Sequence, residues 1–375
     1  MSSSGEVPMV QPAGSGHTII IRETSRPSIL GRLMMWLLVS FLFVSVVMNC
    51  VLMSVIGSLA PTTYTDRLQQ KYHSGNAGSN QVVALVRLEG MIVEGLLDFV
   101  HKQFRDAAQD EQVKAIVLEV DSPGGTVTGS DLVYYYVRQL REGHWEKQSS
   151  AKPVVVHMGS VAASGGYYVA AAANHIVAQP HCLTGSIGVY AAFLDLHKLA
   201  EKYGIEMKIV KRGELKGPTI LHEMTPEERL QWELLVGEAY QRFQQVVEQG
   251  RGPKLKHKLR EPFELITDTG EKVMRRIADG GVFTAEQAKE IGLVDEVGYL
   301  DQAIKKAAEL ANLTEYKVVQ YKRPFGWLGE FFEARAQTQR PLESALPGWT
   351  LRLWYLTPGY ELAPLPLDTW LLRRP

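Results

Sequence analysis

The sequence predicts an α/β fold: a largely parallel sheet with flanking helices, preceded by one helix that could span a membrane. From Gln81 onward, short apolar runs alternate with amphipathic stretches, a pattern typical of β-α-β units with right-handed crossovers. Before them, the segment from Leu33 to Ala60 is apolar and carries no charged residue. It is longer than the roughly 20 residues that a helix needs to cross a bilayer.

The apolar segment 33–60 is interpreted as an uncleaved membrane anchor. A cleaved signal peptide is the alternative, but its apolar core is only about 7–15 residues long. Arg22, Arg26 and Arg32 precede the segment, which favours a cytoplasmic N-terminus. Residues 1–32 are expected to form a disordered cytoplasmic tail. The expected location is the cell (inner) membrane, crossed once, with the remainder of the chain on the extracytoplasmic side.

The elements of the main domain, assigned to residues 81–320, follow a polar linker predicted at 61–80. Strands are predicted in QVVALVRLEG, VKAIVLEV and KPVVVHM, with helices in LLDFVHKQFRDAAQD and GSDLVYYYVRQLRE between them. A second set contains a strand in HIVAQ, a helix near LDLHKLAEKYG and a strand in EMKIVKR. Capping boxes at Thr225 and Thr284 each predict the start of a helix. Residues 321–375 form an extension to which no role is assigned.

Bulk composition limits the possible partners and cofactors. The 375-residue chain has a net charge of −1, so it offers no electrostatic case for nucleic acid as a partner. Cys50, one of only two cysteines, lies in the apolar segment, so neither a disulfide nor a cysteine-based metal site is expected. Residues 251–260 form a basic loop, interpreted as solvated surface rather than as a contact for anionic lipid. No metal, nucleotide or other cofactor is expected.

Ser164 is the first candidate for chemistry. It stands in Ala-Ala-Ser-Gly-Gly, directly after the predicted strand KPVVVHM and before a helix-compatible run of alanines. A serine on a tight strand-to-helix turn exposes its Oγ next to the N–H groups that begin the helix. Small neighbours would give a substrate backbone the clearance to approach. A simple tight turn is the alternative, and Ser160 is interpreted as a turn residue of that kind.

A second glycine-rich turn, Asp121 to Gly125, follows the strand VKAIVLEV with the sequence DSPGG. Its glycines permit positive φ and leave backbone N–H groups bare. Turns that follow neighbouring parallel strands meet at the same edge of the sheet, where α/β proteins form their sites. This turn is therefore a candidate half of an oxyanion hole.

A nucleophilic serine needs a base, and no Asp or Glu at a recognisable spacing supports a Ser-His-Asp triad. His157 lies within a strand and is expected to be structural. Lysine is the other option, because burial can lower the pKa of an amine until it accepts a proton at neutral pH. The candidates around MKIVKRGELKGP are Lys208, Lys211 and Lys216, and spacing alone leaves this choice open.

Five motifs follow one another along the chain: DSPGG, MGSVAASGGYYVA, LTGSIGV, GELK…MTPEER and DGGVFTAEQAKEIGLVDEVG. Their sequences and their order resemble those of the signal peptide peptidase SppA (protease IV) family, over roughly residues 81–314. The resemblance implies a ClpP/crotonase-like α/β fold, a membrane-anchored serine protease with a Ser-Lys dyad, and the short single-repeat form whose subunits assemble into a homo-oligomeric ring.

Site roles follow from this resemblance, position by position. It implies that Ser164 is the nucleophile, Lys216 the general base, and Ser186 the serine that orients that lysine. It also implies that the amides of Gly124 and Gly165 form the oxyanion hole. The expected substrates are remnant signal peptides and other apolar peptides at the membrane.

Two other functions remain open on the sequence alone. A catalytically inactive scaffold of the same fold would bind peptides or partners without cleaving them. A crotonase-type acyl-CoA enzyme would use paired oxyanion amides without a Ser-Lys pair, and it would have no need of a membrane anchor.

Overall fold

The computed structural model of the chain describes residues 29–59, 67–145, 150–216, 220–266, 269–322 and 354–356. Two compact units are present: one ends at Thr65 and the other begins at Asp66. Residues 1–28 of the predicted disordered tail 1–32 lie outside the described ranges, as do residues 60–66. Residues 29–32, which belong to the same predicted tail, are helical instead.

The N-terminal unit contains one helix, α1 (Ile29–Leu59). Its stretch Ile29–Met53 is long and apolar enough to cross a membrane, and its large apolar side chains are exposed. This confirms the predicted apolar helix near the N-terminus.

Strands of the second unit have the following bounds: β1 (Gln70–Gly75), β2 (Val82–Glu89), β3 (Val113–Ser122), β4 (Gly124–Thr126), β5 (Val154–Ala163), β6 (His175–Ala178), β7 (Leu183–Gly185), β8 (Phe263–Ile266), β9 (Lys272–Arg275), β10 (Val282–Thr284), β11 (Glu296–Val297), β12 (Lys317–Tyr321) and β13 (Trp354–Leu356). Its helices are α2 (Asp98–Gln109), α3 (Val127–Glu142), α4 (Gly165–Ala170), α5 (His197–Lys202), α6 (Pro226–Arg251), α7 (Ala285–Glu290) and α8 (Leu300–Leu310).

The main sheet has the strand order β1-β12-β2-β3-β5-β6-β11. Its pairs from β12 to β11 are all parallel, whereas β1 joins β12 antiparallel at the edge. Strand β7 pairs parallel with the last residues of β5 and antiparallel with β10. The parallel α/β core predicted from the sequence is therefore confirmed.

Both faces of the sheet are buried, which explains the nearly continuous apolar strands. On β2, Val82, Ala84 and Val86 pack into the core cluster that includes residues of α2 and α3. Their neighbours Val83 and Leu85 face the other way, into the cluster formed with α8. The alternation follows from the two-residue period of a strand. The fold thereby holds the carboxyl ends of β3 and β5 side by side.

Two helices begin where the sequence predicts. Thr225 caps α6 and Thr284 caps α7, each with a complete capping box. Gly292 follows α7 with φ 89°, a conformation that glycine adopts without strain. These caps position α6 and the segment from β10 to β11 around the end of the sheet that carries the serine turns.

Three segments differ from the sequence-based expectation. Residues 70–75, inside the predicted linker 61–80, form the edge strand β1. The predicted strand EMKIVKR is absent; residues 205–216 are exposed throughout and form neither helix nor strand, because no strand of the described chain pairs with them. In the basic loop 251–260, Arg251 and Leu259 are buried, so that loop is not simply solvated surface.

Candidate active site

Ser164 forms the turn between β5 and α4. Its φ of 53° and ψ of −114° are unusual for a residue with a side chain, and such backbone strain is concentrated at functional sites. The turn is held by the Ser164 N–H, which donates to Gly185 O at 2.8 Å, and by Ser164 O, which accepts from Tyr168 N at 2.8 Å. The side chain is only 1% exposed. Its Oγ has no hydrogen-bond partner among the described residues.

The glycines after Ser164 allow close packing against the DSPGG turn. A Cβ added to Gly165 would clash with Ser130 Oγ and lie 3.1 Å from Gly125 N. A Cβ on Gly166 would lie 2.9 Å from Ser122 O. Gly165 and Gly166 were predicted to give a substrate clearance. The structure shows that their small size is required for close packing within the chain.

Gly124 opens strand β4 with φ 107°, a value that favours glycine. Its N–H donates to Ser122 Oγ at 3.1 Å, and its carbonyl accepts from Ile92 N at 2.9 Å. An oxyanion role for the Gly124 amide stays a prediction, and it would require the bond to Ser122 to be given up. Gly165 is the first residue of α4, where backbone N–H groups have no acceptor within the helix.

Ser186 is brought close to Ser164 by the pairing of β5 with β7. Ala163 and Gly185 are register partners on these parallel strands, and each serine directly follows one of them. Ser186 is 2% exposed and has φ 49°. Its Oγ donates to Gly280 O at 3.0 Å, so in the single chain the hydroxyl is bonded to a carbonyl and not to a lysine.

Lys216 is not brought to the serines in the single chain. Its side chain is exposed and its N–H donates to Gly213 O at 3.3 Å. No amine of the described residues lies within hydrogen-bond distance of Ser164 Oγ. The other candidate lysines also lie on this exposed segment: Lys208 pairs with Glu206 at 3.6 Å and Lys211 donates to Glu214 O at 2.6 Å. The expectation of a buried amine is therefore unmet in the isolated chain.

His157 lies inside β5 and is buried, as expected for a structural histidine. Burial lowers its pKa to about 4. Neither ring nitrogen has a hydrogen bond within the described chain, and Glu119 Oε1 is 4.0 Å from Nδ1. Asp121, the carboxylate of the DSPGG turn, already has a hydrogen-bond partner, because its Oδ1 accepts from Val161 N at 3.1 Å.

An open cleft of about 880 Å³ lies beside Ser186, between α6 and the residues that follow β7. Its lining includes Tyr190, Phe193, Trp232 and Tyr240, and the rings of Phe193 and Trp232 lie 4.8 Å apart. A cleft with this aromatic lining offers apolar surface to a ligand or to another subunit. No motif in the sequence indicates this cleft, because its walls come from segments distant in sequence.

Together, the fold and the site define a parallel α/β protein that presents a serine on a strained strand-to-helix turn beside a glycine-rich strand. A model of peptidase family S49 matches residues 146–260 and 268–314. A Synechocystis sp. protein provisionally named a protease is 34% identical over 63% of this chain and 76% of its own length. The chain therefore belongs to peptidase family S49, the SppA/protease IV family.

Other relatives agree with this membership. Protease 4 of Salmonella typhi is 34% identical over 66% of this chain and 37% of its own length. A protein of Enterococcus faecium provisionally named signal peptide peptidase SppA is 31% identical over 60% of this chain and 61% of its own length. The chain thus spans little more than a third of the Salmonella protein.

Proposed function

We propose that the protein is a serine endopeptidase with a Ser-Lys dyad, held at a membrane by α1, which degrades remnant signal peptides or other apolar peptides. The proposal is based mainly on the geometry of the Ser164 turn. It combines a positive φ, a buried Oγ without a partner, and contact with the Gly124–Gly125 backbone. Names of relatives that refer to proteases support the same activity.

In this mechanism neutral Lys216 removes the proton from Ser164 as Oγ attacks a peptide carbonyl. The negative charge on the carbonyl oxygen is stabilised by the amides of Gly124 and Gly165. The ammonium of Lys216 then protonates the leaving amine, and water hydrolyses the acyl-enzyme. Ser186 would orient Lys216 after exchanging its present bond to Gly280 O.

Assembly into a homo-oligomeric ring would supply the burial that Lys216 needs. The segment 205–216 exposes Ile205, Met207, Ile209 and Val210, more apolar surface than a short solvated loop requires. A second copy packed along this segment would remove water from Lys216 and so favour its uncharged form. In this account the single chain holds the nucleophile ready, and the oligomer brings the base to it.

Apolar substrates suit both the anchor and the cleft. Helix α1 would keep the site close to peptides released in the cell (inner) membrane, with the N-terminus cytoplasmic and the protease domain outside. The aromatic cleft beside Ser186 supplies apolar surface next to the candidate active site.

Labelling and hydrolysis by point variants test the proposal. Ser164→Ala and Lys216→Ala should each lower hydrolysis of an apolar fluorogenic peptide by roughly 10³-fold or more, and both should lose labelling by a fluorophosphonate probe. Ser160→Ala is the matched serine control, because Ser160 is an exposed residue of β5. Lys211→Ala is the lysine control on the same segment. Both controls should keep wild-type rates.

The alternatives give different results. Hydrolysis that is undetectable in the wild type and unchanged in Ser164→Ala would favour the inactive scaffold. Full labelling in Lys216→Ala would show that another group is the base. Turnover of an acyl-CoA thioester that is insensitive to Ser164→Ala would favour the crotonase-type enzyme.

A further inference from the structure

Ser186 is held by a backbone segment from a distant part of the chain, residues 279–282, which leads into β10. The Ser186 N–H donates to Gly281 O at 2.9 Å, and its Oγ donates to Gly280 O at 3.0 Å. The antiparallel pairing of β7 with β10 continues this contact. The path of the segment 279–282 therefore determines where the second serine of the candidate site lies.

The segment is held by an ion pair between Asp279 and Arg275, the last residue of β9. Two parallel hydrogen bonds join them: Arg275 Nε donates to Asp279 Oδ2 at 2.9 Å, and Nη2 donates to Oδ1 at 2.8 Å. The third guanidinium nitrogen, Nη1, donates to Val282 O at 2.8 Å. Asp279 Oδ1 also accepts from Gly281 N at 2.9 Å. One guanidinium group thus binds both ends of the segment.

The surroundings of Arg275 fit a planar guanidinium group. Its central carbon lies 4.1 Å from the centre of the Phe283 ring, which is a cation–π arrangement. A Cβ on Gly281 would clash with Arg275 Nη2, so glycine is needed there. The side chains of Arg275 and Asp279 are only 21% and 29% exposed. A bidentate pair enclosed in this way has a fixed geometry, which an ordinary surface ion pair lacks.

We propose that Arg275 and Asp279 are positioning residues, which together fix the backbone that holds Ser186. The inference rests on the proposed function, in which Ser186 orients Lys216 and so determines where the base meets Ser164. Ser186 depends on such support because its φ of 49° lies in the left-handed region. A residue with a Cβ adopts this conformation at a cost in free energy, so the surrounding bonds must hold it there.

Amide hydrogen exchange tests whether the ion pair holds Ser186. Arg275→Lys keeps the positive charge, but a single ammonium cannot form the same three bonds in the same geometry. In a Ser164→Ala background, exchange of the Ser186 amide should accelerate by about threefold to tenfold in Arg275→Lys, because local opening of the segment 279–282 becomes easier. Arg276→Lys is the matched control, since Arg276 is adjacent and exposed, and it should leave this exchange rate unchanged.

Hydrolysis of an apolar reporter peptide tests the role of the pair in the reaction. Arg275→Lys should lower kcat by roughly tenfold to hundredfold, as expected for a small displacement of a reacting group. It should leave KM unchanged, because Arg275 does not line the cleft beside Ser186. In a Ser186→Ala background the same substitution should change kcat by less than about twofold, since the hydroxyl on which the pair acts is gone. Arg276→Lys should leave kcat and KM unchanged in both backgrounds.

The outcomes separate this inference from the function on which it rests. Unchanged exchange of the Ser186 amide in Arg275→Lys would overturn the inference. Faster exchange with an unchanged kcat, or a loss of kcat that is equally large in the Ser186→Ala background, would overturn the positioning role. Faster exchange in a protein whose wild type neither hydrolyses peptides nor reacts with a fluorophosphonate would support the ion pair as the holder of Ser186 and refute the peptidase function instead.

Discussion

Ser164 has a backbone conformation that a residue with a Cβ adopts only at a cost, about 1–3 kcal/mol at such positions. The structure holds it there through Gly185, Tyr168 and the close contact of Gly165 with Gly125. Ser164 is one of three non-glycine residues with positive φ among the described residues, the others being Ser186 and Asn312. Of the two serines, it is the one whose hydroxyl has no hydrogen-bond partner there. The strained backbone of Ser164 therefore lowers the stability of the fold at the residue that carries the candidate nucleophilic hydroxyl.

A comparison of two inactive variants measures this cost. Ser164→Gly and Ser164→Ala both lack the hydroxyl and differ only in the Cβ. Ser164→Gly should be the more stable by about 1 kcal/mol, because relief of the strain exceeds the roughly 0.5–1 kcal/mol of extra chain entropy that glycine loses on folding. Chemical denaturation of the two proteins in the same detergent checks this. Equal stabilities, or a more stable Ser164→Ala, would show that the turn is unstrained.

At the scale of elements, α6 is fastened to the sheet through its last residue. Arg251 is 1% exposed; it donates to Asp295 Oδ2 at 2.7 Å and to Gly292 O at 2.9 Å. Asp295 also accepts from Ile176 N at 2.8 Å, which ties the helix to β6. Burial alone would raise the pKa of Asp295, but the hydrogen bonds and charge of Arg251 outweigh burial and lower the pKa to about 2.

The Asp295 pKa implies a particular dependence of stability on pH. Since the pKa is lower in the folded protein than the roughly 3.9 of an unfolded chain, the carboxylate stabilises the fold above about pH 4, and this contribution is lost as pH falls towards 2. Asp295→Asn should lower the free energy of unfolding at pH 7 by about 3–5 kcal/mol, because it leaves Arg251 buried without its partner. It should also remove the corresponding part of the acid dependence.

Glu261→Gln is the matched control for this measurement. Glu261 pairs with Lys258 at 2.8 Å, but both side chains are largely exposed, so the variant should change stability by less than about 1 kcal/mol. Urea unfolding followed from pH 7 to pH 3 compares the two. If both variants behave alike, the Arg251–Asp295 pair does not fasten α6.

A comparison of the strands shows which of them can be predicted from the sequence. Strands β2, β3 and β5 are buried on both faces, so they appear as apolar runs and are predicted correctly. Edge strand β1 is polar and exposed (QKYHSG), and it resembles a linker until β12 is known to lie beside it. The reverse error occurs at EMKIV, whose apolar residues resemble a strand but pair with no strand in the part of the chain that the structure describes.

The same distinction applies to the candidate site. Ser164, Gly165 and Ser186 follow paired strands, so their proximity can be predicted from the order of strands and turns. The position of Lys216 cannot be predicted in this way, because its segment is exposed and pairs with no strand of the described residues. The contact between residues 354–356 and β4 has no local signal in the sequence either, since main-chain pairing leaves no side-chain pattern in three residues.

At the scale of the whole molecule, the described residues outside α1 include a run of exposed apolar side chains next to the predicted base Lys216. Val210 is fully exposed at 101%, and Leu215 next to Lys216 is exposed as well. Leu230 and Leu234, on the first half of α6, add to the exposed apolar surface. Such surfaces mark contacts with other protein. This exposed surface supports our proposal that the site is completed only in an assembly of several copies.

A charge on this surface should separate the subunits. Val210→Asp should shift the protein from oligomer to monomer in sedimentation velocity, because a carboxylate would have to be desolvated in the interface. Leu310→Asp is the control, since Leu310 is exposed on α8, away from this segment, and it should leave the assembly intact. A Val210→Asp protein that sediments like the wild type would show that residues 205–216 are not the interface.

The rate at which a fluorophosphonate modifies Ser164, measured by peptide mass in separated oligomer and monomer fractions, tests whether assembly supplies the base that activates Ser164. We expect an adduct on Ser164 that forms in the oligomer, is lost in Lys216→Ala oligomers, and forms at least about tenfold more slowly in monomers, a factor that corresponds to only about 1.4 kcal/mol in barrier height. An oligomer in which Ser164 stays unmodified, or in which Lys216→Ala is modified at the wild-type rate, would contradict it.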